Sequence, residues 1–563
     1  MRILLFSTLL VILFSCKKNP EFTLGQKVNP NLYTVNTGTS FYWCHPDNLT
    51  TCIDDGKDFM PAIIRFPGGL DANFYHMDGK GYGYRRPPTG ESDDVINGSP
   101  DEEKTSSISS DDDVEARYGI SDDQSGSRNG SDDPSPNRSS DNPVVCREIK
   151  KAYHFDNKKR KTFIDPRDKA YPKNENVISN VLNYCKRTSS KILFTCNMVD
   201  ASYGENKKVI ETILAAGVEV VGIELGNEIY LKDFQCLKYD SPAIYIDTAK
   251  MYTANLRKDF PNIKIGIVAA PSEVIGINPK RLKYYQSWND AIKKETFYDG
   301  YVVHHYMKDK SCDCKNGFST SDSVKMKMEC HQSSLNKELE MWFGNTGINA
   351  YKSMFPGKKM WLTEWNSTNV FRCFGNTQAS NLFYTAYQNE LVKYGNEIEF
   401  ATFHNWLGNG EHFPIIRPKG KSFEKRSSSL VFSSLLPLFS QRENFELKIP
   451  PQLTSDLPKT LKVYAYHQPK TVDQKANITI VIVNPTSEDH TQKIYANDIT
   501  INGEAHQLNK GKYIMSYSKS LAASLGKPGF GDAVENIKTD TGQINNQIQL
   551  KGYSFTIINY ELD

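Results

Sequence analysis

Short apolar runs alternate with longer amphipathic stretches between about residue 31 and residue 440 of the chain. The runs are apolar along their whole length, which is typical of parallel strands that are covered on both faces. The predicted strands are Tyr33–Gly38, Ala62–Phe66, Lys191–Asn197, Val218–Leu225, Ile263–Ala269, Gly300–His305, Lys359–Thr363 and Ile398–His404. The predicted helices are Glu175–Arg187, Lys207–Ala216, Ser241–Asp259, Tyr285–Glu295, Glu338–Gly344 and Ala379–Tyr394.

This rhythm of strand and helix repeats about eight times, so it predicts an α/β fold with a (β/α)8 TIM barrel over residues 31–440. A doubly wound open sheet has the same rhythm, but no Gly-x-Gly-x-x-Gly turn follows an early strand. After residue 440 short β runs separated by turn residues predict a C-terminal β-sandwich over residues 441–563. Its predicted strands are Leu461–His467, Ile478–Asn484, Gln492–Tyr495, Asp498–Ile501, Lys512–Ser516 and Tyr553–Tyr560.

An acidic, low-complexity segment at residues 91–142 interrupts the barrel pattern. It is rich in Ser, Asp, Gly and Asn and nearly free of aliphatic residues. Such a composition buries too little apolar surface to offset the entropy of ordering, so we predict a disordered insertion. A calcium-binding loop is the alternative, although the EF-hand pattern is absent. The insertion follows the second predicted strand, on the loop face where barrel active sites lie.

The N-terminus has the features of a secretion signal. Met1 and Arg2 precede a mostly apolar run that is too short to span a bilayer. Leu13-Phe14-Ser15-Cys16 resembles the bacterial lipobox, in which the cysteine is lipidated. The resemblance implies a signal peptide at residues 1–15, a lipid anchor at Cys16, and location in the bacterial cell envelope. An ordinary cleaved signal is the alternative. Residues 16–30 are interpreted as a tether, from which the segment Phe22–Leu24 could join the sandwich.

Charge and cysteine content narrow the class further. The 563 residues include 68 basic and 66 acidic side chains, a formal charge of +2, and show no basic stripe, which argues against a nucleic-acid partner. Ten cysteines besides Cys16 permit disulfides in an oxidising compartment. Cys44 and Cys52 flank a short polar stretch that a disulfide could close. For Cys312, Cys314 and Cys330 we favour disulfides or free thiols over zinc, and we interpret Cys185 and Cys196 as core residues.

Two carboxylate-bearing segments, residues 222–228 and 361–366, each follow or end an apolar β run. Their sequences are Gly-Ile-Glu-Leu-Gly-Asn-Glu and Trp-Leu-Thr-Glu-Trp-Asn. A glutamate at the mouth of a sheet is costly to bury. A facing acid and nucleophile for glycosidic-bond cleavage would explain Glu228 and Glu364. The alternatives are a helix N-cap at Asn227-Glu228 and an ion pair at Glu364.

With these motifs the chain resembles clan A glycoside hydrolases of the arabinofuranosidase-like and heparanase-like type. The resemblance includes Arg65-Phe-Pro-Gly-Gly on the second strand, Asn227-Glu228 after the fourth, His304-His-Tyr306 on the sixth and Glu364 at the end of the seventh. It implies that Glu228 is the acid/base and Glu364 the nucleophile. It further implies that Arg65, Asn227, His304, Tyr306 and Trp406 contact the sugar or position these carboxylates. A loop-bridging role for Arg65 and a packing role for Trp406 are the alternatives, and Glu224 is interpreted as structural.

We therefore predict a retaining glycoside hydrolase that acts on poly- or oligosaccharides, with α-L-arabinofuranosides or β-uronides as favoured substrates. The mechanism requires neither a metal nor an organic cofactor. The predicted partners are a carbohydrate and, through the lipid anchor, a membrane. A surface glycan-binding lipoprotein without turnover and an adhesive surface protein are the competing hypotheses.

Overall fold

A computed structural model provides the structure of the protein. It describes residues 19–38, 40–79, 83, 176–272, 279–307, 329–330, 333, 336–344, 346–367, 376–408, 414–419, 422–440, 443–451, 458–472, 474–493, 498–508, 511–519, 537–544 and 547–563. The predicted signal peptide, Cys16 and the insertion at residues 91–142 lie outside these residues. Within the described part, no helix combines the length and the apolar character needed to cross a bilayer.

Eight parallel strands form a closed barrel, as the sequence predicts. In barrel order they are β2 (Thr34–Asn36), β3 (Ile63–Phe66), β4 (Lys191–Thr195), β5 (Val220–Glu224), β6 (Lys264–Val268), β7 (Gly300–Met307), β8 (Lys359–Ser367) and β9 (Ile398–His404), with β9 pairing back onto β2. Every strand coincides with a predicted apolar run to within a few residues. The largest difference is at β8, which continues to Ser367 where the prediction ended it at Thr363.

Helices surround the barrel and connect its strands. The α-helices are Ser40–Trp43, Leu49–Gly56, Val177–Thr188, Tyr203–Ala215, Lys232–Leu237, Pro242–Asp259, Pro279–Ile292, Ile348–Met354, Gln378–Val392 and Ser428–Ser440. The 3-10 helices are Pro30–Leu32, Pro46–Asn48, Lys57–Phe59 and Leu70–Phe74. Residues 336–342 are also helical. The α-helices Ser40–Trp43, Leu49–Gly56, Lys232–Leu237, Ile348–Met354 and Ser428–Ser440 were not predicted.

Trp361 fills the inside of the barrel at the amino-terminal part of β8. Three glycines on neighbouring strands, Gly222, Gly266 and Gly300, make room for its ring. A Cβ on Gly266 would lie 2.5 Å from the ring, and one on Gly222 would lie 2.8 Å from it. The indole Nε1 donates to Glu399 Oε2 on β9 at 2.8 Å. The barrel interior is therefore packed below the level at which β3, β5 and β8 carry their charged residues.

The remaining strands form a separate all-β region. A nine-stranded sheet has the order β17 (Glu504–Gln507), β16 (Asp498–Ile501), β1 (Glu21–Lys27), β12 (Phe445–Lys448), β13 (Lys462–Gln468), β14 (Asn477–Asn484), β21 (Ser554–Glu561), β18 (Gly511–Tyr517) and β19 (Lys538–Ile544). Two short ribbons, β15 (His490–Lys493) with β20 (Gln547–Leu550) and β10 (Ile416–Lys419) with β11 (Ser422–Lys425), complete the described strands. Ile548 and Leu550 of β20 pack in one cluster with Ile482 and Ile558 of the large sheet.

The β1 strand corrects the interpretation of residues 16–30 as a tether. Residues Glu21–Lys27 pair with β12 and β16, and the resulting sheet buries the apolar side chain of Phe22. The segment around Phe22–Leu24 thus joins the all-β region. This region packs on the barrel through the helix Gln378–Val392, where Tyr466 Oη donates to Asn389 Oδ1 at 2.6 Å.

The described cysteines for which the sequence suggested a role fit that role, and Cys236, for which it suggested none, is disulfide-bonded. Cys44 and Cys52 form a disulfide that closes the short polar stretch between them. Cys330 is also disulfide-bonded. Cys185 and Cys196 are free and buried, and burial raises the pKa of the Cys185 thiol to about 12. A thiol with so high a pKa is a poor nucleophile, so Cys185 acts as an apolar core residue.

Candidate active site

A group of charged and polar side chains lies inside the barrel at the carboxyl ends of its strands. Because all eight strands are parallel, these ends share one rim, and side chains from distant parts of the sequence meet there. The residues in question are Asn36 on β2, Arg65 on β3, Glu224 on β5, Asn227 and Glu228 in the following loop, His304 and Tyr306 on β7, Glu364 on β8 and His404 on β9.

Glu364 owes its inward orientation to an irregularity in β8. Val303 of β7 is paired with Leu362, but the next residue, His304, is paired with Glu364, so Thr363 has no counterpart. Such a bulge lets two successive side chains face the same side of a strand. Thr363 Oγ1 accordingly lies 3.2 Å from His304 Nε2, and Glu364 enters the same interior space. In a regular strand Glu364 would alternate with Trp361 and Thr363 and face outward.

The Glu364 carboxylate is buried and accepts three hydrogen bonds. Asn36 Nδ2 donates to Oε1 at 2.9 Å, Arg65 Nη1 donates to Oε1 at 2.7 Å, and the Tyr306 hydroxyl donates to Oε2. Burial alone raises the pKa of a carboxyl group. The positive charges of His304 and Arg65 and the hydrogen bond from Tyr306 outweigh it, so the pKa of Glu364 lies well below its ordinary value. Glu364 is therefore ionised at neutral pH.

Arg65 is completely buried between two carboxylates. Its Nη2 donates to Glu224 Oε2 at 2.8 Å and its Nε donates to both Glu224 oxygens at 3.0 Å, opposite the bond from Nη1 to Glu364. Burial lowers the pKa of the guanidinium, but both carboxylates raise it, and the net shift is upward. A buried arginine needs such partners to remain charged. Glu224, which was predicted to be structural, is thus the carboxylate that holds Arg65 in place.

Hydrogen bonds fix the side-chain oxygen and the backbone of Asn227, whereas its side-chain nitrogen meets no acceptor in the described part of the chain. Its Oδ1 accepts from Arg65 Nη2 at 2.7 Å, and its backbone N–H and C=O bond to the Asn73 side chain at 3.0 and 2.6 Å. Its Nδ2 is buried and meets no hydrogen-bond acceptor among the described residues. A buried donor without an acceptor is costly, and a hydroxyl group of a bound molecule would satisfy it.

Glu228 follows β5 in a conformation that most side chains avoid. Its φ is +46°, in the left-handed region, and such backbone strain concentrates at functional sites. The carboxylate Oε1 accepts from the Tyr230 hydroxyl at 3.2 Å and lies 3.0 Å from His304 Nδ1. The side chain is 19% exposed, whereas that of Glu364 is 5% exposed, so Glu228 is the more accessible of the two carboxylates.

His304 brings the two predicted catalytic carboxylates together. Its Nδ1 lies 3.0 Å from Glu228 Oε1 and 3.6 Å from Glu364 Oε2. These two oxygens are therefore at most 6.6 Å apart, the sum of the two distances. Retaining glycosidases hold their carboxyl groups about 5–5.5 Å apart and inverting enzymes about 6.5–9.5 Å apart. The upper limit on this oxygen pair is compatible with the retaining separation.

The two neighbouring histidines of β7 face opposite sides of the strand. Burial lowers the pKa of His304, but the charges of Glu364 and Glu228 and a hydrogen bond with Glu228 raise it above its ordinary value. His305 faces away from the barrel interior, stacks on Trp342 and shares a 2.8 Å hydrogen bond with Tyr387. Burial lowers the pKa of His305. Successive side chains of a strand point to opposite faces, which accounts for this difference between the two histidines.

Asn36 and His404 belong to the site but were not predicted. Asn36 Nδ2 lies 2.8 Å from His404 Nδ1 in addition to its bond to Glu364, and His404 Nδ1 is 4.0 Å from Glu364 Oε2. Burial lowers the pKa of His404, so the ring is neutral and its Nδ1 accepts the amide proton. Gly68 makes room for this arrangement, since a Cβ there would overlap Asn36 Oδ1. Gly68 in the Pro-Gly-Gly segment is the one sequence signal for Asn36.

The structure does not place Trp406 among the side chains of the candidate active site. The side chain is completely buried and packs against Phe41 and Tyr184, with ring centroids 6.2 and 5.0 Å away. Tyr184 lies on the helix Val177–Thr188, outside the barrel, so the indole fills the layer between strands and helices. The prediction of a sugar-stacking role is corrected on these grounds, and Trp406 is a packing residue. His404, two residues earlier, is the side chain at the end of β9 that faces Glu364.

Comparison with known proteins gives the fold but no sequence family. The chain matches no protein-family model and no curated protein sequence. Among solved structures it resembles the GH51 arabinofuranosidase from Xanthomonas axonopodis pv. citri, at 13% identity and a TM-score of 0.59 over 96% of this chain and 99% of that one. The family 51 α-L-arabinofuranosidase from Bifidobacterium longum has 12% identity and a TM-score of 0.58 over 96% and 98%.

A third similar structure is that of the wild-type protein BuGH86 in complex with neoagarooctaose, with 12% identity and a TM-score of 0.50 over 97% of this chain and 78% of that one. At these identities the likeness establishes the architecture alone. The chain shares with these glycoside hydrolases a (β/α)8 barrel combined with an all-β sandwich domain.

Proposed function

We propose that this protein is a retaining glycoside hydrolase, with Glu364 as the nucleophile and Glu228 as the general acid and base. The observation that carries the proposal is the convergence of both carboxylates on His304 Nδ1, at 3.0 and 3.6 Å, on the carboxyl-end rim of the barrel. Helix capping or a simple ion pair would account for either glutamate alone. Neither explains why both point into one interior space.

The first chemical step would form a bond between Glu364 and the anomeric carbon of the sugar. The glycosidic C–O bond breaks at the same time, its electron pair goes to the leaving oxygen, and Glu228 supplies the proton to that oxygen. In the second step Glu228 takes a proton from water, whose oxygen attacks the anomeric carbon and releases Glu364. The hydrogen bonds from Asn36, Arg65 and Tyr306 support the role of Glu364 as the nucleophile, because they keep its carboxylate ionised and fixed.

The buried Asn227 Nδ2 supports a contact with a sugar hydroxyl. A donor fixed by Arg65 and Asn73 costs no reorganisation when the substrate enters. Hydrogen bonds to the 2-hydroxyl that strengthen in the oxocarbenium-like transition state contribute to glycosidase catalysis. We therefore assign Asn227 to the 2-hydroxyl and His304 to the positioning of Glu228.

Among substrates we favour α-L-arabinofuranosides, with β-uronides next. The first choice has support from the similar arabinofuranosidase structures, which share the architecture over nearly the whole chain. For uronides, the motif resemblance is the only support. An aryl-glycoside panel that includes furanosides, uronides and galactosides separates these possibilities.

The test of catalysis compares wild type with Glu364→Gln and Glu228→Gln on aryl glycosides with good and poor leaving groups. We expect Glu364→Gln to abolish turnover and to retain glycan binding. Glu228→Gln should slow poor leaving groups far more than good ones, because only poor leaving groups need the proton. Glu399→Gln, at the opposite end of the barrel, is the matched control and should leave turnover unchanged. Glycan binding by wild type without turnover would instead support a glycan-binding lipoprotein.

The proposed location is the bacterial cell envelope, with a lipid on Cys16. The support is the lipobox-like sequence at residues 13–16. Expression with a radiolabelled fatty acid tests it, since wild type should be labelled and found with membranes. Cys16→Ser should be unlabelled, and equal labelling of both proteins would contradict the anchor.

A further inference from the structure

A histidine and two carboxylates meet away from the candidate active site. His76, Asp78 and Glu205 each present one ligand atom, and these atoms lie within 4.8 Å of one another. His76 and Asp78 belong to the segment that follows β3, and Glu205 lies in the first turn of the helix Tyr203–Ala215. Two separate parts of the chain are therefore brought together by these three side chains.

The two ring nitrogens of His76 have different surroundings. Nε2 lies 3.1 Å from Asp200 Oδ1, and because a carboxylate only accepts, Nε2 carries the proton. In the neutral ring Nδ1 then has a free lone pair. Nδ1 faces Glu205 Oε1 at 3.6 Å and meets no hydrogen-bond partner in the described part of the chain. The residue is only 3% exposed, so water does not readily satisfy this atom. A buried acceptor aimed at a carboxylate oxygen is explained by a cation between them.

Neighbouring hydrogen bonds order the segments that carry the three side chains. Asn197 Nδ2 donates to Asp200 Oδ1 at 2.6 Å, which fixes the carboxylate behind His76. The Gly79 N–H donates to the His76 carbonyl at 3.2 Å and closes the turn that carries Asp78. Glu205 Oε2 accepts from the Ser202 N–H at 2.7 Å in a capping box. The other carboxylate oxygen, Oε1, then faces His76.

We propose that His76 Nδ1, Asp78 and Glu205 bind a divalent transition-metal cation, with Zn²⁺ as the representative ion. Imidazole nitrogen and carboxylate oxygen together suit zinc and its neighbours, whereas calcium and magnesium prefer oxygen ligands alone. Asp200 supplies the carboxylate to which a metal-bound histidine ordinarily donates its other N–H. The ion would join the segment after β3 to the helix Tyr203–Ala215.

The site would stabilise a loop that the candidate active site depends on. Asn73, three residues before His76, holds the backbone of Asn227 through hydrogen bonds of 2.6 and 3.0 Å. Fixing His76 restricts the freedom of this segment. The cation has no part in the chemical steps, so its binding can be measured whether or not the glycosidase proposal is correct.

Equilibrium dialysis of the chelator-treated full chain against Zn²⁺, with Ca²⁺ in parallel, tests the proposal. Wild type should bind one more equivalent of Zn²⁺ than His76→Gln or Asp78→Asn, and Zn²⁺ should raise the unfolding temperature of wild type alone. Asp200→Asn should weaken binding about 10- to 100-fold. The control His45→Gln alters another histidine–aspartate pair, at 3.8 Å, and should bind as wild type does.

Equal Zn²⁺ binding by wild type and both ligand variants, or no binding by wild type, would overturn the proposal. Tighter binding of Ca²⁺ than of Zn²⁺ would overturn the transition-metal assignment. Asp78 is exposed, so Asp78→Asn is expected to fold even if His76→Gln does not, and it then decides the outcome alone.

Discussion

Arg65 Nη1 donates a 2.7 Å hydrogen bond to Glu364 Oε1 inside the barrel, and both side chains are buried. The other edge of the guanidinium is bound by Glu224, so a single arginine connects β3, β5 and β8. Removal of the arginine would leave two buried carboxylates without their cation. The pair is therefore important for folding as well as for the state of the nucleophile.

We expect Arg65→Met to lower the free energy of unfolding by about 3–5 kcal/mol, the cost of breaking a buried ion pair. The kcat/KM should also fall by on the order of 100-fold, as for the loss of one preorganised donor. Denaturant unfolding and steady-state kinetics measure the two effects. Arg257→Met breaks a partly exposed pair with Asp299 and should cost about 1 kcal/mol or less. Equal destabilisation by both changes would contradict the account.

The Tyr306 hydroxyl donates to Glu364 Oε2 and favours its ionised form. Tyr306→Phe removes this bond, so the pKa of Glu364 should rise and the acidic limb of the kcat/KM profile should move to higher pH. Tyr33→Phe is the control, because its hydroxyl bonds to the Phe432 carbonyl, away from the two carboxylates. An acidic limb that stays unchanged in Tyr306→Phe would show that Glu364 does not need this hydroxyl.

The adjacent histidines of β7 should affect stability with opposite dependence on pH. The folded-state pKa of His304 is raised, so its stabilisation is fully present below about pH 6.5 and is lost as pH rises through the raised pKa. The folded-state pKa of His305 is lowered, so wild type loses stability as pH falls through and below about 6.5.

Unfolding of wild type, His304→Gln and His305→Gln between pH 5 and 9 tests this difference. The destabilisation caused by His304→Gln should shrink as pH rises. That caused by His305→Gln should shrink as pH falls. The same trend in both variants would rule out the assigned environments.

Because the Trp361 ring packs against glycines, we expect a side chain larger than that of glycine at position 266 to destabilise the protein. A Cβ at that position would lie 2.5 Å from the indole, closer than real Cβ contacts, so Gly266→Ala should destabilise by about 1–3 kcal/mol. Gly204→Ala is the matched control, because its nearest neighbour would be Ser202 Oγ at 3.9 Å in a helix. It should be neutral or stabilise by up to about 1 kcal/mol. Thermal unfolding of the two variants compares them directly.

The barrel could be predicted because its strands are buried on both faces and therefore read as continuous apolar runs. The runs at Ile398–His404 and Lys191–Asn197 match β9 and β4 closely for this reason. The helix Ser428–Ser440 was missed because its apolar residues stand in two runs separated by serines and it contains Pro437, so no clear amphipathic period marks it. Tertiary burial, rather than local pattern, determines that element.

The residues of the candidate site that belong to sequence motifs could be predicted. Those that reach the site only through the folding of the barrel were missed. Glu228 and Glu364 were found as acidic residues near strand ends, and the shared contact with His304 is consistent with that choice. The β-bulge that turns the Glu364 side chain inward cannot be recognised from the alternation of polar and apolar residues along the strand. Asn36 and His404 are ordinary polar residues in sequence, and their roles follow from the closure of β9 onto β2.

Trapping of the glycosyl-enzyme is the most direct test of the two-carboxylate mechanism. Glu228→Gln would be incubated with the dinitrophenyl glycoside that wild type hydrolyses fastest, and the intact protein and its peptides would be weighed by mass spectrometry. Attack on this activated substrate needs no proton, whereas release requires the missing base, so one glycosyl unit should accumulate on Glu364. An adduct on another carboxylate such as Glu224, or turnover with an inverted product and no adduct, would contradict the account.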